Sequence, residues 1–140
     1  MNVLQSIIKF SLIPKDSDLH EIRNIIDDEA KKERQGQGRG DTELIKLCCI
    51  QLFSKKNMED VLRIWQAKTA SMDTDCSIDI QLLCGNGLQK TKMFLMSISD
   101  NPLAKSALNR INTQEKEGFF EKFSVEDELR FYQEYYTDVE

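Results

Sequence analysis

The segment after Asp41 constrains this chain most. Leu44, Ile45, Leu47, Cys48, Cys49, Ile50, Leu52 and Phe53 fall nearly all round a helix spanning 42 to about 54. A helix apolar on every side must be enclosed by other elements. Asp41 stands where a helix cap belongs. The fold is therefore expected to be built round this helix.

Its neighbours also read as helices. Ser17 and Asp18 can cap a helix carrying Leu19, Ile22, Ile25 and Ile26 opposite a charged face. That helix runs into the glycine-rich 35–40 stretch, which reads as a flexible loop. Asn57 can cap the next helix, which sets Met58, Val61, Leu62, Ile64, Trp65 and Thr69 on one arc. Residues 72–77 read as a polar connection. Ile78, Ile80 and Leu82 alternate with Asp79 and Gln81, which suits a strand, but no partner strand is visible. We read a short helix stopped at Gly85-Asn86-Gly87. Further helices follow over 88–98, from Asn101-Pro102 to about 116, and after Ser124, with Leu129, Tyr132 and Tyr136 on one face of the last. Residues 1–15 read as a short helix ending near Pro14 or a loosely held arm.

The class expected is all-α, in one domain over 1–140. Helix pairs, 42–54 with 58–71 and 78–84 with 88–98, recur at roughly HEAT- or TPR-like spacing, so an irregular α-α superhelix leads and a compact helical bundle is the alternative.

The net charge of −5 argues against nucleic acid and against docking on anionic membranes. The apolar start lacks the basic region and cleavage site of a signal peptide, and no stretch is long enough to span a bilayer. The cysteines, Cys48, Cys49, Cys76 and Cys84, form no C-x-x-C pair, and His20 is the only histidine. A cytoplasmic chain with reduced cysteines, no metal and no cofactor is expected.

The segments Asp41-Thr-Glu-Leu-Ile-Lys-Leu-Cys, Gln51-Leu-Phe-Ser, Asp60-Val-Leu-Arg-Ile-Trp-Gln-Ala-Lys, Ile78-Asp-Ile-Gln-Leu-Leu-Cys-Gly and Gly87-Leu-Gln-Lys-Thr-Lys resemble a group of small, uncharacterised bacterial proteins, as do Gly118-Phe-Phe-Glu-Lys-Phe and Tyr135-Tyr136. The resemblance implies a bacterial cytosolic helical protein and no particular activity.

The polar residues inside apolar arcs are the candidates for a site. Lys68 lies between the directions of Ile64 and Val61, Asp79 between Leu82 and Leu83 if its segment is helical, and Gln51 and Gln81 are placed alike. A buried charge must be paired and a buried amide bonded. Lys68 and Asp79 are therefore expected to interact, directly or through one shared polar group. Either they clasp two helices together or they line a polar cleft. Trp65, with Gln66 beside it, is core or an interface anchor; core, against Leu47 and Ile50, is expected. Asp73 and Asp75 read as a solvated turn, since no calcium-loop pattern surrounds them. Arg39-Gly40-Asp41 spells an adhesion tripeptide by chance. Lys92 completes the candidate binding set of Trp65, Gln66, Lys68, Asp73, Asp79, Gln81 and Lys92. No catalytic residue is named: phosphate-loop, H-E-x-x-H and G-x-S-x-G motifs are missing.

The function expected is a protein–protein interaction module of immunity or inhibitor type, monomeric or weakly dimeric, whose acidity steers it onto a basic partner. The alternative is a small enzyme with a cleft round Lys68 and Asp79.

Overall fold

A computed structural model of the chain describes residues 1–137. Among them are eight α-helices and three 3₁₀ turns, and no strand. The class is all-α.

The helix read as central is central. It is α3, Thr42–Lys55, preceded by α1, Val3–Phe10, and α2, Leu19–Gln35. Asp41 caps α3 by accepting the Leu44 N–H at 3.1 Å, and every residue from Leu47 to Ser54 is buried. Helices α1 and α2 pack on it, as do α4, Val61–Lys68, and α5, Met72–Ser77. So does α8, Val125–Tyr135, from the far end of the chain. Of the two readings of residues 1–15, the short helix is the one that forms. Asn2 and Gln5 close a capping box on α1. The buried Gln51 amide then donates to Ser6 Oγ at 3.2 Å and to the Ser11 carbonyl at 3.0 Å, which ties α1 to α3.

The remaining pair is α6, Leu88–Ser97, and α7, Pro102–Lys116, which pack on each other, with α7 also against α4. Asn101 caps α7 through the Leu103 N–H at 2.8 Å, and Pro102 fits the first turn, where its missing N–H costs nothing. Of the two helix pairs read from spacing, α3 with α4 forms. The other does not: α6 packs on α7, while residues 80–83 lie against α3 and α4.

Two local readings need correction. Residues 72–77 are a helix, not a polar connection. Ser71 accepts the Thr74 N–H at 3.2 Å and Thr74 Oγ1 accepts the Ser71 N–H at 2.9 Å, a capping box with threonine where glutamate is usual. The short helix read over 78–84 is one 3₁₀ turn, Ile80–Leu83, and Asp79 stands exposed before it rather than inside an apolar arc.

The glycine-rich stretch after α2 is bonded at several points. Glu33, only 1% exposed, accepts the N–H groups of Gly38 at 2.9 Å and Gly40 at 3.1 Å, while Ser71 Oγ donates to its other oxygen at 2.5 Å. The Ser71 bond is the main reason that carboxyl is held below the usual carboxylate range; burial opposes it, and the two glycine N–H groups add to it. Gly85 is required for another reason. A Cβ there would stand 2.5 Å from the Phe53 carbonyl oxygen at the end of α3.

Candidate functional site

Helices α4, α5 and α7 meet at Lys68, which is 4% exposed. Its ammonium donates to the carbonyls of Asp75, at 2.6 Å, and Ile78, and pairs with Asp75 Oδ1 at 3.0 Å. An ammonium has three protons, so these acceptors use all of them. Asp75 in turn receives both arms of the Arg110 guanidinium, at 2.9 and 3.1 Å. The same guanidinium lies over the Trp65 ring, 5.2 Å from its centroid. Arg110 is the main reason the Asp75 carboxyl is held below its ordinary range; partial burial opposes this, and Lys68 adds to it.

Trp65 is 3% exposed, as its arc predicts. Trp65, Arg110, Asp75 and Lys68 thus form a closed stack that joins three helices. A cavity of about 290 Å³ opens beside it, lined also by Cys76, Asp79, Gln81, Gln114 and Phe119. Gln81 donates to the Phe119 carbonyl at 2.8 Å.

Lys68 and Asp79 face the same cavity but do not clasp each other. Asp79 accepts the Tyr132 hydroxyl at 3.0 Å, so it is bound to α8, and no polar group is shared with Lys68. The reason is α5. Its turn brings Asp75 back over Lys68, seven residues away, and carries Asp79 past it into solvent. Asp75, read as part of a solvated turn, is the real partner.

The other candidates lie apart. Gln66 is exposed on a shallow pocket with Asp27, Arg34, Glu59 and Arg63. Asp73 is exposed, and its backbone N–H approaches Gln37 Oε1 at 3.4 Å. Lys92 pairs with Glu115 at 2.7 Å, linking α6 to α7. A buried acid escaped the sequence reading. Asp60 is 1% exposed and takes Arg23, at 2.8 and 2.9 Å, and Arg63 at 2.6 Å, riveting α2 to α4. The signal available was its spacing, since Asp60 lies one helical turn before the apolar Ile64.

The sequence reading also missed the outer side of α8. Tyr132 and Tyr136 face inward and are buried, as predicted. Phe131 and Tyr135, one turn apart, face outward at 59% and 60% exposure. Their rings stack with centroids 6.5 Å apart and planes 25° apart. Each also meets a buried neighbour edge-on: Phe131 with Tyr132 at 5.1 Å, and Tyr135 with Tyr136 at 4.9 Å. The exposed rings are therefore held in place by anchored ones.

Carboxylates share this helix. Asp127 and Glu128 sit one turn before Phe131, and Glu134 precedes Tyr135; Asp127 is paired with Arg130 at 3.1 Å. Burial, and then the Asp79 charge, push the Glu128 carboxyl above its ordinary range. Neither Asp79 nor Glu128 has an ion-pair partner among the described residues. Six of the chain's 24 acids, but only Arg130 of its 19 bases, fall in residues 125–140. The net charge of −5 therefore resides in this last segment, and the preceding residues are balanced.

Among the described residues no cluster of His, Cys, Asp or Glu could hold a metal, and no helix is long and apolar enough to cross a membrane. All four cysteines are unpaired; burial pushes the Cys48 and Cys84 thiols up to about 12. No family model matches this chain, and neither a curated protein nor a solved structure matches it.

Proposed function

We propose that this chain is a protein-binding module whose binding face is the outer side of α8. The stacked, exposed Phe131–Tyr135 pair carries the reading. Aromatic side chains supply large contact area, and rings already held rigid lose little freedom on binding. An inhibitor or immunity-type protein acting in the cytoplasm is one form such a module takes. The cleft alternative has less support, because the protons of Lys68 are all engaged and Asp79 is held by Tyr132.

The test is affinity capture from the organism that encodes the chain, comparing wild type with Phe131→Ser/Tyr135→Ser. Circular dichroism should show both folded. A partner held by wild type and by an Ile8→Ser control, but lost by the double variant, supports the reading. Ile8, exposed on α1, suits that control. Retention of the same partner by the double variant would remove α8 as the binding face.

A further inference from the structure

Resting on the binding-module reading, we propose that the outer face of α8 receives an arginine-bearing basic segment of a partner protein, the guanidinium stacking on Phe131 and Tyr135 and pairing with Asp79 and Glu128.

The face offers two kinds of surface together. One is the aromatic stack, whose rings present negative π faces to solvent. The other is the pair of acids Asp79 and Glu128, which have no ion-pair partner among the described residues. Tyr132 connects the two: its hydroxyl holds Asp79 at 3.0 Å while its ring meets Phe131 edge-on at 5.1 Å. Glu128 belongs to the same patch, since it stands one helical turn before Tyr132 on α8, and Tyr132 holds Asp79. Two carboxylates on one patch repel, and a cation between them relieves that repulsion.

Charge selects the class of partner. The described part of the segment that bears this face, residues 125–137, carries four acids against one base, so a basic segment is attracted and a nucleic acid repelled. A second copy would set acid against acid. Chemistry then selects arginine over lysine. A planar guanidinium stacks on a ring and bonds carboxylates through a fork at the same time, whereas an ammonium is a compact, strongly hydrated charge. The molecule contains that arrangement already, completed internally: Arg110 lies 5.2 Å over Trp65 and bonds both oxygens of Asp75. At α8 the rings, Asp79 and Glu128 are present; Arg130 is taken up by Asp127 at 3.1 Å and Lys46 lies 5.8 Å from the centroid of the Tyr132 ring, so the guanidinium for these two acids is left to come from outside.

The experiment uses the full chain and synthetic peptides of one length, in which Arg, Lys, Gln and Glu replace one another at fixed positions beside an apolar residue. Binding is read by fluorescence anisotropy of a label on the peptide. Arginine peptides should bind best, the lysine versions about tenfold more weakly, and affinity should fall as salt is raised. Asp79→Asn/Glu128→Gln keeps the shape of both side chains, and the amide oxygen it places at position 79 can still accept the Tyr132 bond. It should weaken arginine peptides about tenfold or more. Equal binding of Arg, Gln and Glu peptides would overturn the proposal, as would arginine binding indifferent to the Asp79/Glu128 change. Self-association that disappears in Phe131→Ser/Tyr135→Ser would overturn it in favour of a second copy. The two readings fail separately. Capture that needs Phe131 and Tyr135 but ignores the two acids keeps the module and removes the arginine. Capture that ignores the aromatic pair removes the module itself.

Discussion

The stack at Trp65 and the face at Phe131 use the same chemistry to opposite ends. In the first, an aromatic ring, a carboxylate and a guanidinium are all supplied by the chain, and Lys68 fills the space beneath them. In the second, rings and carboxylates are present, and none of the described lysines or arginines pairs with Asp79 or Glu128, the nearby Lys46 lying over the Tyr132 ring and Arg130 being paired with Asp127. A satisfied polar cluster joins helices; an unsatisfied one on the surface is available to a partner. A lysine in an apolar arc is thus a poor guide to function when its partners are all at home.

The largest test of this contrast is size against exposure. Trp65→Ala should cost about 3–5 kcal/mol in denaturant unfolding, because it empties a core position and leaves Arg110 without its ring. Phe131→Ala removes a ring of similar class that is 59% exposed, and should cost below about 1 kcal/mol. Equal costs would merge the two regions into one core.

Next comes the identity of the clasp. Lys68→Met leaves the Asp75 and Ile78 carbonyls without their donor and should cost about 3–5 kcal/mol. Paired with Asp75→Leu in a double-mutant cycle, it should show coupling of about 1–3 kcal/mol. Paired with Asp79→Leu it should be additive within about 0.5 kcal/mol. Strong coupling to Asp79 would restore the pairing expected from the sequence.

That expectation shows where the sequence stops being readable. Helix caps were legible at Asp41, Asn101-Pro102 and Ser124, whereas Asp18 and Asn57, read as caps, accept no cap bond because 3₁₀ turns lead into α2 and α4. So were the enclosed α3, the buried Trp65 and the inward face of α8, since each rests on apolar residues at helical spacing. The partner of Lys68 was not, because it depends on a six-residue helix whose capping box uses Thr74. One turn of helix decides whether Asp75 or Asp79 reaches the ammonium. Glu33 was hidden likewise. It belongs to a run of charged residues on α2, and only the wrapping of Gly38 and Gly40 over it makes it an interior acid. The α8 face was half legible: periodicity shows which tyrosines turn inward, but not that Phe131 and Tyr135 stack against them or that Asp79 arrives from 53 residues away.

The smallest expected effect separates the regions by sign. Asp75, with its folded pKa lowered, contributes stability that is present above its unfolded value of 3.8 and is lost as pH falls through the lower, folded one. Glu128 is the reverse. Its folded pKa lies above the unfolded 4.5, so its contribution is present below 4.5 and is lost as pH rises through the folded value. At neutral pH the charged Glu128 is therefore a small cost that the free chain carries. Glu128→Gln should raise the melting temperature slightly at pH 7, while Asp75→Asn should lower it and flatten the acid limb of the stability curve. Thermal scans from pH 3 to pH 7 read both. Burial is the larger cause of the Glu128 shift and Asp79 the second, so Asp79→Asn should reduce the gain from Glu128→Gln without abolishing it. A Glu128→Gln variant less stable than wild type at pH 7 would mean the carboxylate is already paired within the chain. The α8 face would then be as closed as the Lys68 stack, with no charge left over for a partner.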